Sequence, residues 1–222
     1  MFIYQNYKDI NKELSNDVTL VAVSKTKPVA DIMEAYEAGH RIFGENKVQE
    51  MVNKHEALPE DIEWHMIGHL QRNKVKYMAH FVSLIHGVDK LSTLIEIDKQ
   101  AKKHDRIIDC LLQARIAKEE TKFGMEFQEI ERILFSDDLK ELGNVRIKGL
   151  MGMATFTEDE SQIASEFSTL QELFQDMRSK GSDLEVLSMG MSGDYRIALR
   201  YGSNMIRVGS ALFGERNYIA NK

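Results

Sequence analysis

The sequence predicts an α/β protein, a single (β/α)8 TIM barrel formed by residues 1–222. Short β-branched apolar runs alternate along the chain with longer segments in which apolar residues recur every three or four positions. The short runs are almost continuously apolar, as in a parallel sheet that is covered on both faces. Eight such repeats in a chain of this length match the smaller (β/α)8 barrels, whereas a doubly wound open sheet usually has fewer strands.

Eight short apolar runs are the predicted strands. The ends of these runs are candidate positions for functional residues, because barrel proteins carry their sites at the carboxyl ends of the strands. In chain order, the runs are residues 18–23, 41–43, 63–68, 81–87, 107–113, 145–151, 185–188 and 205–208.

Seven segments of helical period lie before and between these strands. Pro28 suits a first helical turn, and Gly39 and Gly202 fall where a left-handed residue ends a helix. The first segment precedes the first strand and would cap the barrel or lie outside it. The segments are residues 5–15, 29–38, 48–57, 90–102, 126–135, 161–178 and 194–200.

The composition excludes several classes of protein. A formal net charge of -6 argues against general nucleic-acid binding, which depends on Lys and Arg contacts to phosphates. The single cysteine, Cys110, excludes an intrachain disulfide, and its apolar neighbours predict a buried thiol. No segment resembles a signal peptide or a membrane span, so we expect a cytoplasmic protein. With only 2 prolines and no low-complexity linker, the sequence indicates one domain.

Two neighbouring strand ends carry glycine and serine into turns. Strand seven runs into "SMGMSGD" and strand eight into "RVGS", which place Ser192, Gly209 and Ser210 at the same end of the predicted barrel. Backbone N–H groups in such turns converge on anions, and barrels frequently bind a phosphate after strands seven and eight. Gly-Ser turns are common in themselves, but their position here favours a phosphate site.

The first strand ends in "SKTKP", which contains two lysines. In a closed barrel this strand adjoins strand eight, so Lys25 would lie beside the predicted phosphate site. Partial desolvation there would lower the pKa of the lysine, and the neutral amine could condense with an aldehyde. Lys27 precedes Pro28, which imposes an extended conformation, and we expect Lys27 to be a solvated surface charge.

Two further residues near the predicted mouth have alternative roles. Arg207 lies on the last strand between apolar residues and needs a partner. It is either half of a structural ion pair or a group that recognises a ring nitrogen or a second anion. Met153, near the end of strand six, either packs the barrel or lies against a flat ring.

Other motifs give little support for a metal or nucleotide site. His65 and His69 are four residues apart, but they flank a strand end and the glutamate of H-E-x-x-H is absent, so we expect no zinc site. The basic segment "LQRNKVKY" is more typical of a solvated helix face than of a nucleic-acid patch in an acidic protein. Neither glycine-rich nucleotide motif occurs.

Six segments between residues 22 and 218 are distinctive as a set: "AVSKTKP", "FGENKVQE", "WHMIGHLQRNK", "GLMGMA", "LSMGMSGD" and "IRVGSALFGERNY". In these segments, and hence over nearly its whole length, the chain resembles the YggS/PROSC family of pyridoxal-phosphate-binding proteins. The resemblance implies a barrel of the alanine-racemase N-terminal-domain type without the second domain of the racemases. The lysine motif comes earlier here than in many members, so we expect a shortened leading helix.

The resemblance also implies a site for pyridoxal 5'-phosphate. Lys25 corresponds to the lysine that carries the cofactor as a Schiff base, and Arg207 to the arginine that faces the pyridine nitrogen. Ser192 and the two residues after strand eight correspond to the phosphate ligands, while the "FGEN" and "GLMGMA" segments border the ring. The implied cofactor-binding set is Lys25, Asn46, Met153, Ser192, Arg207, Gly209 and Ser210.

The family implies a role in pyridoxal phosphate (vitamin B6) homeostasis rather than catalysis. An arginine can only donate to the ring nitrogen, which leaves the ring a weak electron sink. The related racemases take one of two bases from their second domain, which we expect to be missing because the sequence ends at Lys222. The alternatives are a racemase-like enzyme with a minimal site and, less favoured, a regulatory protein with a structural cofactor. We expect a monomer whose partners include apo forms of cofactor-dependent enzymes.

Overall fold

Eight parallel strands close into a barrel in chain order, with β1 paired to both β2 and β8. The structure, a computed structural model, describes residues 2–118 and 123–214. The predicted (β/α)8 architecture is therefore confirmed. The strands are β1 Thr19–Val23, β2 Ile42–Glu45, β3 Glu63–Met66, β4 Leu84–Val88, β5 Ile108–Gln113, β6 Val145–Met151, β7 Val186–Met191 and β8 Met205–Val208.

Helices connect the strands on the outside of the barrel. A short 3-10 helix, η1 (Arg72–Tyr77), occupies the connection between β3 and β4. The basic segment around it was expected to be a helix face, and its lysines lie on this turn. The α-helices are α1 Phe2–Glu13, α2 Val29–Glu37, α3 Val48–Ala57, α4 Leu91–Lys102, α5 Phe127–Leu134, α6 Asp137–Lys140, α7 Glu160–Ser179, α8 Tyr195–Arg200 and α9 Ser210–Phe213.

The fourth strand begins later than predicted. The run from residue 81 is apolar, but the amides of Phe81 and Val82 both donate to the Met78 carbonyl, so these residues continue a helical turn. Their side chains fill the core from that turn rather than from a strand, and only Leu84 and the residues after it pair with β5. Apolar character alone does not distinguish these two cases.

The leading helix is shifted toward the N-terminus relative to the prediction. It spans Phe2–Glu13 rather than residues 5–15, because a turn with the amide of Val18 donating to the Ser15 carbonyl replaces its expected last residues. Ile3 and Ile10 are buried against the barrel. The helix is thus an integral part of the outer layer.

Two apolar layers hold the barrel together. The main core lies between strands and helices and includes Trp64, Phe43 and Phe167, which are fully buried. A second, smaller cluster lies inside the barrel, as expected for inward-facing strand residues. Its buried members are Val21, Leu84, Leu111, Met151 and Met205.

Local features agree with the sequence signals. Gly39 and Gly202 have φ angles of 103° and 80°, so each ends a helix in the left-handed conformation as predicted. Pro28 is the N-cap of α2, one position before the helix. Cys110 is buried, and burial raises the pKa of its thiol. None of the described helices is long and apolar enough to cross a membrane.

Candidate cofactor site

A cavity of about 820 Å³ opens at the carboxyl ends of the strands. The loops after β1, β2, β6, β7 and β8 each contribute to its lining, so the site is assembled from distant parts of the chain. Every site residue predicted from the sequence lies in this lining. These are Lys25, Asn46, Met153, Ser192, Arg207, Gly209 and Ser210.

The cavity is basic although the protein is acidic. Its described lining includes the cations Lys25, Lys27, Lys47 and Arg207, whereas Asp194 is the carboxylate among these lining residues. Asp194 is also engaged locally, because its Oδ1 accepts a hydrogen bond from the Met191 amide at 2.5 Å. The local charge therefore favours an anionic ligand, independently of the net charge of the chain.

Lys25 lies in a tight turn at the end of β1. The Lys27 amide donates to the Ser24 carbonyl at 3.0 Å, which makes Lys25 and Thr26 the central residues of this turn. Thr26 has a φ of 64°, a left-handed conformation that is unfavourable for a β-branched residue. The turn ends the strand abruptly and places Lys25 at the cavity.

Lys27 is not the solvated surface charge that the sequence predicted. Its Nζ donates to the carbonyl oxygens of Phe213 and Gly214, at 2.9 and 3.1 Å. Unpaired carbonyls at a helix C-terminus attract cations, and α9 ends at Phe213. Lys27 therefore links the β1 turn to the end of α9, a long-range contact that the sequence pattern does not reveal.

The predicted phosphate-binding turns after β7 and β8 meet at the start of α9. Ser192 Oγ lies 3.0 Å from the Gly209 amide nitrogen and 3.3 Å from that of Ala211, and it accepts from both. A Cβ added to Gly193 would meet nothing within 4 Å, so this side of the cavity is open. The hydroxyls of Ser192 and Ser210 and the adjoining N–H groups suit a phosphate-sized anion.

Arg207 is buried on β8 with only 4% of its surface exposed. Its Nη1 donates to the Ser188 carbonyl at 3.0 Å and to Ser188 Oγ at 2.6 Å, and its Nη2 donates to the Gly152 carbonyl at 3.0 Å. Burial lowers the pKa of the guanidinium to about 10, so it remains protonated at neutral pH. The sequence left two roles open for Arg207, a structural ion pair or recognition of a ligand. The three hydrogen bonds go to carbonyl and hydroxyl oxygens and not to a carboxylate, so they give no support to the ion pair.

Two buried histidines extend the hydrogen bonds of Arg207 beneath the cavity. Ser188 Oγ lies 3.2 Å from His86 Nδ1, and His86 Nε2 lies 3.1 Å from His65 Nδ1. Burial lowers the pKa of His65 to about 3 and that of His86 well below its usual value, so both rings are neutral. Arg207 can only donate, so Ser188 Oγ accepts from it. The Ser188 hydroxyl then donates a hydrogen bond to His86 Nδ1, and His86 Nε2 donates to His65 Nδ1.

His86 and Ser188 were not predicted from the sequence, and His65 was considered there only as a zinc ligand. A polar residue within an apolar strand run was the available signal, because a buried polar group needs a partner. No group of three or more His, Cys, Asp or Glu side chains in the described parts of the chain is arranged to hold a metal ion.

Asn46 and Met153 lie in different parts of the cavity wall. The loop after β3 packs closely on Asn46, since a Cβ on Gly68 would lie 2.4 Å from the Asn46 carbonyl oxygen. Met153 follows β6 and packs against the cluster inside the barrel. Both side chains are half-buried and border the same space as Lys25.

His69 adds a titratable group to the rim. Its Nδ1 lies 3.3 Å from Asp89 Oδ2, and its ring stacks on Phe123 with centroids 4.1 Å apart. The carboxylate and the aromatic ring together fix the orientation of the imidazole. The structure gives no support to a zinc site formed by His65 and His69. The ring of His65 is buried outside the cavity lining, whereas the ring of His69 lines the cavity.

The barrel and its cavity define a (β/α)8-barrel protein with a basic ligand site at the carboxyl ends of its strands. The family model described as "Alanine racemase, N-terminal domain" matches residues 2–217. The chain belongs to this family, and a curated relative that is 42% identical over 91% of the chain shows that it belongs, within the family, to the pyridoxal phosphate homeostasis proteins. The YggS/PROSC resemblance is thereby confirmed.

Curated relatives with the name "Pyridoxal phosphate homeostasis protein" include one from Aquifex aeolicus (strain VF5), which is 42% identical over 91% of this chain and 89% of its own length. Another, from Synechocystis sp. (strain ATCC 27184 / PCC 6803 / Kazusa), is 39% identical over 97% and 100%, respectively. The solved structure of PipY from Synechococcus elongatus PCC7942 with PLP bound has a TM-score of 0.87 and 34% identity, covering 96% of this chain and all of PipY. An alanine racemase from Clostridium difficile 630 shares the fold, with a TM-score of 0.79 at 15% identity over 97% of this chain and 57% of the racemase.

Proposed function

We propose that this protein binds pyridoxal 5'-phosphate and takes part in its homeostasis. The observation that carries the proposal is the convergence of Lys25, the Ser192–Gly209 turn pair and Arg207 on one basic cavity. The ligand has three recognition points, namely an aldehyde, a phosphate and a pyridine nitrogen. The cavity offers one group for each point: the Lys25 amine for the aldehyde, the Ser192–Gly209 turn pair for the phosphate, and the N–H groups of Arg207 for the pyridine nitrogen. The PLP-bound structure of PipY supports the same ligand.

In this proposal Lys25 is the covalent attachment point. Its amine adds to the aldehyde carbon, one water molecule leaves, and a C=N bond joins the lysine to the ligand as a Schiff base. Asn46 and Met153 border the ring, and Ser192, Gly209 and Ser210 hold the phosphate. Residues 1–222 would form one domain with this single site, as the sequence predicted.

Arg207 argues for storage or delivery rather than efficient catalysis. Pyridoxal phosphate withdraws electrons strongly when its pyridine nitrogen is protonated. A guanidinium has no lone pair to accept a proton and can only donate to this nitrogen, which then stays unprotonated. We therefore propose a carrier that keeps the free ligand low and passes it to apo forms of enzymes that require it, acting as a monomer in the cytoplasm.

The attachment is tested by spectroscopy and peptide mapping. Purified protein with the ligand should show a visible imine band that borohydride removes, and the reduced label should map to Lys25. Lys25→Ala should lose the label, whereas Lys140→Ala, which removes an exposed lysine on α6, should keep it. A label that persists elsewhere in Lys25→Ala at the wild-type level would contradict the assignment.

Delivery is tested by following transfer to an apo-enzyme. The loaded protein should restore the activity of the apo-enzyme faster when the two proteins share one compartment than when a dialysis membrane separates them, because only free ligand crosses the membrane. Equal rates in the two arrangements would reduce the protein to passive storage.

A racemase-like activity is the second candidate, because His69 and Asp89 line or adjoin the same cavity. An imidazole oriented by a carboxylate is a suitable general base, and racemisation needs a base on each face of the substrate. Incubation with single enantiomers of amino acids, followed by chiral chromatography, decides between the two functions. Turnover to the opposite enantiomer that is lost in His69→Asn would favour the enzyme.

A further inference from the structure

Three charged side chains meet behind the turn that carries Lys25. Lys54, on α3, lies with its Nζ 2.7 Å from Glu45 Oε1 and 2.7 Å from Glu50 Oε1. The side chains of Lys54 and Glu45 are 8% and 0% exposed, respectively, and Glu50 is half-buried. We refer to Glu45, Glu50 and Lys54 as the clamp. These three described side chains are not part of the cavity lining, so they do not meet a ligand directly.

Each member of the clamp holds the backbone or side chain next to Lys25. Lys54 Nζ donates to the Ser24 carbonyl at 2.8 Å, and Ser24 Oγ donates to Glu45 Oε1 at 2.6 Å. On the other side of the lysine, the Thr26 amide donates to Glu50 Oε1 at 2.5 Å. The residues before and after Lys25 are therefore both fixed by charge-assisted hydrogen bonds.

Stability alone does not explain such a cluster. A buried ion pair gains little free energy over apolar residues of the same volume, because both charges lose their hydration. Glu45 Oε2 is in addition buried without a hydrogen-bond partner in the described residues. An arrangement with these costs indicates that the geometry it enforces has a use.

That geometry concerns the direction of one side chain. A lysine side chain has many rotamers, and the turn that carries Lys25 contains Thr26 in a left-handed conformation at a φ of 64°. We expect loss of the clamp to let this turn relax toward ordinary backbone angles and to release Lys25 from its position at the cavity. The hydrogen bonds to Ser24 and Thr26 oppose this relaxation at the two residues where it would begin.

We propose that Glu45, Glu50 and Lys54 are positioning residues that hold Lys25 in place for condensation with an aldehyde in the cavity. The proposal rests on the proposed function. The clamp acts through the two residues beside Lys25, Ser24 and Thr26: it neither donates nor accepts the protons of the reaction, in which the Lys25 amine forms the C=N bond and water leaves.

Glu50 gives the sharpest test, because it is only half-buried and its removal leaves the Lys54–Glu45 pair intact. Glu50→Ala removes the acceptor of the Thr26 amide, and the rate constant of imine-band formation with pyridoxal 5'-phosphate should fall about 10-fold, since small misplacements of a reacting group are costly. Glu50→Gln keeps an oxygen at the same place and should stay within about threefold of the wild-type protein.

A control separates positioning from general destabilisation. Glu13→Ala removes a carboxylate that binds Arg196 and Tyr195 on the outside of the barrel, and it should leave the imine rate unchanged whatever its effect on melting temperature. The neutral double variant Glu45→Gln with Lys54→Met avoids an unpaired buried charge and should slow imine formation as Glu50→Ala does. Glu50→Ala with a wild-type imine rate would overturn the proposal, as would equal losses in Glu50→Ala and Glu50→Gln.

A second readout does not need the ligand. In the ligand-free protein, the pH profile for reductive methylation of Lys25 by formaldehyde with cyanoborohydride as the reductant, followed by mass spectrometry, should change in Glu50→Ala and return toward the wild-type profile in Glu50→Gln. An identical profile in all three proteins would overturn the clamp. If the wild-type protein formed no imine with pyridoxal 5'-phosphate, the proposed function would fail, while this labelling would still decide the clamp.

Discussion

Arg207 Nη1 lies 2.6 Å from Ser188 Oγ, and this bond connects the cavity to a chain of buried groups beneath it. Ser188 Oγ accepts a hydrogen bond from the guanidinium and donates one to His86 Nδ1. His86 Nε2 in turn donates to His65 Nδ1. A buried cation is costly unless its donors are satisfied. The chain therefore satisfies donors of Arg207, while burial keeps both rings neutral by lowering the pKa of each histidine.

Ser188→Ala should loosen this chain. The variant leaves His86 Nδ1 without a donor and removes one of the bonds of Arg207, so we expect a loss of about 1–3 kcal/mol in the free energy of unfolding and weaker pyridoxal 5'-phosphate binding. Urea unfolding and ligand titration measure the two effects. Ser182→Ala is the matched control, because Ser182 Oγ is buried without a partner in the described structure. A Ser188→Ala protein as stable as this control would contradict the role given to the chain.

The stability of the protein should fall in mildly acidic solution because of buried neutral histidines. Burial lowers the pKa of His40 from 6.5 to about 4, so the unfolded chain binds a proton at this site more readily than the folded chain. The stabilisation from the neutral ring is complete above pH 6.5 and is lost as the pH falls toward 4. Between pH 7 and 5 the resulting loss in the free energy of unfolding is about 2 kcal/mol for His40.

Urea unfolding at several pH values tests this expectation. His40→Gln, whose amide can still donate to the Ile42 carbonyl that His40 Nε2 contacts, should reduce the fall in stability between pH 7 and 5 by about 2 kcal/mol. His104→Gln should not, because His104 is exposed. A pH dependence that is unchanged in His40→Gln would place the acid-sensitive groups elsewhere.

The barrel was predictable because strand order and burial leave a direct trace in the sequence. Near-continuous apolar runs such as residues 107–113 and 145–151 became β5 and β6 with almost the predicted bounds. The run from residue 81 did not, since a helical turn and a buried strand share the same apolar character. Helices α6 and α9 have only four residues each, too few for a helical period to show.

The site residues were predictable where a sequence motif stands at the end of a predicted strand. Contacts between segments that are distant in the sequence were less predictable. Lys25, Ser192 and Arg207 each stand at a predicted strand end, so the barrel rule brings them together. The bond between Lys54 and the Ser24 carbonyl joins α3 to the β1 turn, and no periodicity specifies which lysine of a helix turns inward. Such pairings depend on tertiary packing, which a single sequence does not contain.

Lys27→Met tests the correction made to one of these pairings. The lysine donates to two carbonyls at the end of α9, so its removal should lower the free energy of unfolding by about 1–2 kcal/mol even though the methionine preserves most of the side-chain volume. Thermal unfolding at one pH measures the change. Lys12→Met removes an exposed lysine with a local ion pair and should cost less than about 0.5 kcal/mol. Equal, small effects in both variants would restore the description of Lys27 as a surface charge.

Thr26→Gly should stabilise the protein, which is the reverse of the usual effect of a glycine. Left-handed backbone costs an ordinary residue about 1–2 kcal/mol, and Thr26 has a φ of 64°. Glycine avoids that cost but adds about 0.5–1 kcal/mol of unfolded-state entropy, so the expected net gain is about 0.5–1 kcal/mol. The urea midpoint should rise with an unchanged slope.

The same substitution in a helix gives the opposite sign and serves as the control for Thr26→Gly. Thr169→Gly lies on the exposed side of α7, where the backbone is helical and glycine is expected to lower stability by about 0.3 kcal/mol relative to threonine. Because the clamp and not threonine itself holds the turn, Thr26→Gly should also keep an imine rate within about threefold of wild type. A destabilised Thr26→Gly protein would mean that the threonine side chain contributes more to the turn than its backbone conformation costs.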